Sequence, residues 1–147
     1  MSLDEHREWL WALLTRRSCT GREARERLRK RGLEEGDAEA LILEATEMHL
    51  LDDAAYGRLF AEGHDSWGRD RIAWELGRRG LSGEDIETAL GEVDEEARAR
   101  ELVSAWWERG MEERKIVARL QRRGFGGRTI RAACREDRDD EGQGGAQ

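Results

Sequence analysis

Three pairs of cations carry the most suggestive chemistry in this 147-residue sequence: Lys30-Arg31, Arg78-Arg79 and Arg122-Arg123. Each pair sits inside one short pattern. The copies are Leu28-Arg29-Lys30-Arg31-Gly32-Leu33, Leu76-Gly77-Arg78-Arg79-Gly80-Leu81 and Leu120-Gln121-Arg122-Arg123-Gly124-Phe125. Such cations can engage acidic protein surface or phosphate. An ordinary role competes with that one, because a cation near a helix C-terminus complements the dipole by about 0.3–1 kcal/mol. The run 114–135 is harder to reduce to dipole chemistry. It holds Arg114, Lys115, Arg119, Arg122, Arg123, Arg128, Arg131 and Arg135 and no acid, whereas a solvated helix normally interleaves signs to gain i,i+4 pairs. The chemistry on offer is anion binding. Its candidate contacts are Lys30, Arg31, Arg78, Arg79, Arg114, Lys115, Arg119, Arg122, Arg123, Arg128 and Arg131.

Other chemistries find little support. There is no Walker-type glycine loop, nucleophile elbow or paired-carboxylate pattern, so no catalytic residue and no cofactor are expected. His6, His49 and His64 are scattered without a second ligand at metal spacing, and no metal site is expected. Six tryptophans (Trp9, Trp11, Trp67, Trp74, Trp106, Trp107) could stack on bases, but core or seam packing explains them better. Trp106 and Trp107 are adjacent and point about 100° apart on a helix, so they cannot both face one core. The formal net charge of −7 argues against a simple nucleic-acid binder. The charge is uneven: residues 52–95 hold 12 acids against 5 bases. A partner carrying both signs suits this chain better than bare phosphate backbone.

The elements that position these cations are helices. The three glycines lie 48 and then 44 residues apart, the period of stacked helical units. Each glycine reads as the left-handed C′ residue of a Schellman motif, with Leu33 on Leu28, Leu81 on Leu76 and Phe125 on Leu120. A new helix follows each turn. Ser82 caps with Asp85 completing a capping box, and Leu81 staples to Ile86. Asp52 is a good N-cap, and Asp53 adds a carboxylate to the positive end of the same helix.

Apolar positions at helical spacing predict nine helices in three sets and no strand. The sets are about 4–16, 21–31 and 36–49; about 53–66, 69–79 and 83–92; and about 95–108, 112–123 and 127–136. The expected units are 1–51, 52–94 and 95–136, with an acidic tail at 137–147 too polar to fold. Cys19 and Cys134 are expected to be free thiols in a reducing cytosol. No apolar stretch approaches the ~20 residues that span a bilayer, and no membrane partner is expected.

One block goes further: Leu50-Leu51-Asp52-Asp53-x-x-Tyr56, then Gly68-x-x-Arg71-Ile72-x-x-Glu75-Leu76-x-x-Arg79-Gly80-Leu81. In order and spacing it resembles the RecX family of recombinase regulators. Weaker echoes extend the likeness over roughly residues 10–135. The resemblance implies an all-α, elongated, curved array of three tandem three-helix repeats, cytoplasmic and monomeric. It implies binding to the RecA–DNA filament and reduced ATPase, strand exchange and co-protease activity, without enzymatic activity of its own. Three positions depart from the family pattern. His49 stands where glycine is common, Gly57 where alanine is usual, and Ala24 where a larger aliphatic is usual. Two other functions stay open on the residues alone. One is a helix-turn-helix-like module for single- or double-stranded DNA, with 114–123 or 127–136 entering a groove. The other is a helical adaptor for an unrelated protein.

Overall fold

The computed structural model describes the backbone of residues 1–144 and the side chains of residues 1–139. Among the described residues it is all-α, with nine helices and no strand. The helices are α1 (Leu3–Arg16), α2 (Gly21–Lys30), α3 (Glu35–Glu47), α4 (Asp53–Gly63), α5 (Arg69–Arg78), α6 (Gly83–Leu90), α7 (Glu95–Glu108), α8 (Glu113–Arg122) and α9 (Gly127–Gly144). No helix among the described residues is long and apolar enough to cross a membrane.

The three repeated turns form as their residues dictate. Gly32, Gly80 and Gly124 have φ of 91°, 95° and 85°. The N–H groups of Leu33, Leu81 and Phe125 donate to the carbonyls of Leu28, Leu76 and Leu120 at 3.2, 3.1 and 3.1 Å. These bonds satisfy carbonyls that a helix end would otherwise leave bare. Gly110 (φ 80°) ends α7 in the same way, with Met111 N–H on the Trp106 carbonyl. His49 takes the left-handed conformation at φ 59°, doing the work usually given to glycine. The caps form too. Ser82 Oγ accepts from Asp85 N–H and Asp52 Oδ1 from Ala55 N–H.

Contacts divide the chain into two compact units that cut across the expected boundaries. The first joins Met1–Leu59 with Leu76–Ala89; the second joins Phe60–Glu75 with the chain from Leu90 onward. In the first, α1, α2 and α3 close over Leu10, Leu28, Leu41 and the fully buried Ala24. In the second, α7, α8 and α9 close over Val103, Trp106, Ile116, Leu120, Phe125 and Ile130. Trp9 and Trp11 pack against the first cluster, while Trp74 is 67% exposed. Trp107 packs partly buried against the second cluster that also holds Trp106, so the two neighbours share one core, contrary to the expectation from their ~100° separation.

The last helix corrects one expectation. Expected to stop near 136, α9 runs on to Gly144, so residues 137–144 are helical; 145–147 lie outside the described residues. Low apolar content did not end it, because Glu, Asp and Arg tolerate a helix and neither proline nor glycine interrupts before Gly142. Ion pairs tie its far end back: Arg100 to Glu136 at 3.7 Å and Arg138 to Glu113 at 3.3 Å.

Candidate recognition surface

The third Arg-Arg-Gly turn is the centre of a concentrated cationic site, and backbone geometry places it. At the start of α5, Gly68 N–H donates to the Arg123 carbonyl at 2.7 Å and Asp70 N–H to the Gly124 carbonyl at 3.1 Å. The two backbones meet so closely that only glycines fit. A Cβ on Gly68 would stand 2.4 Å from Gly124 O, and one on Gly124 would stand 2.3 Å from Arg71 N.

Two side chains brace this junction. Glu95 accepts from Arg69 N–H at 3.1 Å, Gly126 N–H at 3.3 Å and Thr129 Oγ1 at 3.0 Å. The Arg98 guanidinium donates to the carbonyls of Ala61, His64 and Trp67 at 3.0, 3.1 and 3.2 Å. It thereby closes the C-terminal end of α4, whose last carbonyls lack helical partners. The segment after α4 is ordered by aromatic stacking: His64 lies 4.1 Å from both the Phe60 and the Trp67 ring centroids.

The result is a shallow depression of about 490 Å³ lined by Trp67, Arg71, Arg119, Arg122 and Arg123. The Arg71 guanidinium lies 3.9 Å from the Trp67 ring centroid, a cation–π contact that holds it over the depression. Arg123 and Arg119 lie 5.3 and 5.6 Å from the Trp106 ring. Among the described residues none of these four guanidiniums has an ion-pair partner. Four like charges converging without counter-charge repel one another, and an arriving anion relieves that repulsion.

The other expected contacts are less available. In the first unit, the cations of α2 are largely neutralised: Arg25 pairs with Glu39, Arg29 with Glu35 at 2.9 Å and Arg22 with Glu26 at 3.4 Å. Lys30 and Arg31 are exposed, with Arg31 4.2 Å over the Trp9 ring. Arg79 donates to the Tyr56 hydroxyl, and both Arg78 and Arg79 have further interactions. In the second unit Arg114 pairs with Glu112 at 3.1 Å, while Lys115, Arg128 and Arg131 are exposed. So Arg119, Arg122 and Arg123 are brought together, joined by Arg71 and Trp67. Sequence reasoning missed those two as contacts, although Arg71 stands in the quoted Gly68-x-x-Arg71 block. No group of His, Cys, Asp and Glu among the described residues is arranged to hold a metal.

Comparison with known proteins bears on what this surface serves. The chain is 35% identical over 137 residues to the regulatory protein RecX of Stenotrophomonas maltophilia (strain R551-3), covering 87% of this chain and 84% of that one. It belongs to the RecX family. A second relative, the regulatory protein RecX of Halorhodospira halophila, is 34% identical over 139 residues, with 88% and 86% covered. The family model for the second three-helix domain of RecX matches residues 52–90, which hold α4, α5 and α6. The crystal structure of RecX from Lactobacillus salivarius superimposes with a TM-score of 0.84 over 92% of this chain and 96% of that one, at 18% identity. A crystal structure of regulatory protein RecX gives 0.74 over 88% and 70%, also at 18%. The relatives carry a regulatory name, and the RecX fold is shared at low identity.

Proposed function

We propose that this RecX-family chain binds the RecA–DNA recombinase filament and inhibits its ATPase, strand exchange and co-protease activity. The observation that carries the reading is the unneutralised cluster of Arg71, Arg119, Arg122 and Arg123 around one depression. Acidic surface of the filament protein or DNA phosphate fills that depression. The remaining exposed cations, Lys30, Arg31, Lys115, Arg128 and Arg131, add longer-range attraction. The mechanism is steric and electrostatic. A body held across neighbouring recombinase subunits keeps them from their active arrangement or denies entry to a second duplex. It needs no cofactor and no bond-making step from this chain, and one copy of the chain suffices for each contact. A cytoplasmic setting, where the filament assembles, follows from the same reading.

Co-sedimentation tests this. The protein is expected to pellet with recombinase filaments on single-stranded DNA and to stay in solution with the same DNA alone at physiological salt. Equal pelleting on naked DNA, with a steep salt dependence, would support the helix-turn-helix-like alternative instead.

A further inference from the structure

A second concavity in the same unit lies between α8 and α9 and differs in chemistry from the arginine depression. Its volume is about 290 Å³, just below the ~300–1,000 Å³ range of ligand pockets. Val117, Ile130 and Cys134 give it an apolar floor, and Arg131, Arg135 and Arg138 stand on its rim. Ile130 and Cys134 are only 2% and 5% exposed, so the floor reaches the hydrophobic core. Arg138 is held by Glu113 at 3.3 Å. Arg131 and Arg135 are exposed and have no ion-pair partner among the described residues. The Arg131 guanidinium lies close over Gly127, where an added Cβ would stand 3.2 Å from it.

We propose that this groove docks an acidic amphipathic helix of a partner protein. One or two bulky apolar side chains enter the floor, while flanking carboxylates pair with Arg131 and Arg135. An apolar floor releases poorly bonded water to an apolar anchor, and the cation rim sets the sign of the flanks. Nucleic acid fits poorly, because no aromatic side chain lines the groove for base stacking. The chain's own acidic C-terminal segment does not supply the occupant. It continues α9 as helix through Gly144 and is not turned back onto the groove.

The test uses the full-length protein and two fluorescent synthetic helices. One is built of Glu with Leu at every third or fourth position; the other has Ala in place of each Leu. Fluorescence anisotropy is expected to show the Leu helix binding at least about tenfold tighter than the Ala helix. The Arg131→Glu/Arg135→Glu protein, and separately Val117→Trp, which fills the floor, are each expected to lose about tenfold. Arg131 and Arg135 are exposed, so the thermal melt of that variant should match the parent. Slow modification of Cys134 by a small methanethiosulfonate, mapped by mass spectrometry, should slow further when the Leu helix is bound. Equal binding of the two helices would overturn the proposal. So would protection of Cys134 by oligothymidine rather than by the helix, or a self-dimer that the Arg131→Glu/Arg135→Glu change abolishes.

Discussion

The Gly68 N–H donates to the carbonyl oxygen of Arg123 at 2.7 Å, and its counterpart one turn earlier is Thr20 Oγ1 donating to the Arg79 carbonyl at 2.8 Å. In both cases the residue before a second helix, α5 or α2, bonds the arginine that precedes the glycine of a later turn. The Arg-Arg-Gly motif is therefore a helix stop and a socket at once. In the first copy no such contact reaches the glycine, since a Cβ on Gly32 would meet nothing within 4 Å.

That asymmetry separates two glycine substitutions. Gly32→Ala should cost only the left-handed backbone penalty, about 1–2 kcal/mol. Gly124→Ala carries the same penalty plus a collision 2.3 Å from Arg71 N, which adds about 1–3 kcal/mol of overpacking. Urea unfolding should rank the two variants in that order. Equal losses would mean that the socket contact contributes nothing.

Thr20 does two jobs while fully buried. Its Oγ1 accepts from Glu23 N–H at 3.2 Å as the cap of α2 and donates to the Arg79 carbonyl. Thr20→Val keeps the shape and removes both bonds. A loss of about 1–3 kcal/mol is expected, with Thr20→Ser recovering most of it in the same chemical denaturation.

Arg98→Met should lower the melting temperature more than Arg100→Met, at an exposed position. The variant leaves the carbonyls of Ala61, His64 and Trp67 without the guanidinium that now reaches them, at about 1–3 kcal/mol for a buried group left unsatisfied. Differential scanning calorimetry on both variants decides the point.

Asp53 gives a pH dependence. Burial pushes its carboxyl up from the ordinary value of 3.8, against the Gly21 N–H that favours the charged form and bonds it at 2.9 Å. A raised carboxyl contributes stability that is complete below the ordinary value and is lost as pH rises through the raised one. Asp53→Asn keeps an acceptor for Gly21 and does not titrate. The variant should therefore gain on the parent in urea titrations as pH rises from below the ordinary carboxyl value through the raised one. A constant gap would show that Asp53 is not perturbed by burial.

What could be read from sequence was local. The Leu-x-x-x-Gly-(Leu/Phe) turns and the Asp52 and Ser82 caps depend on partners within five residues, and all form as expected. The long-range contacts of Thr20, Asp53, Gly68, Arg71 and Arg98 were not legible because their partners lie far away in the sequence. Thr20 and Arg79, for instance, are 59 residues apart. The candidate site was half visible for the same reason. Arg119, Arg122 and Arg123 announce themselves in an acid-free run, but only the α5 docking brings Arg71 and Trp67 beside them. The basic look of α2 misled in the other direction, since Glu35 and Glu39 of α3 pair with Arg29 and Arg25.

Recombinase ATPase on single-stranded DNA, measured with the parent protein and with Arg119→Glu/Arg122→Glu, tests the central claim most directly. Both side chains are exposed, so the double variant should melt like the parent. The expected result is inhibition by the parent at substoichiometric ratio and its loss, by about tenfold or more in the concentration required, in the folded variant. Equal inhibition by both proteins would contradict the account.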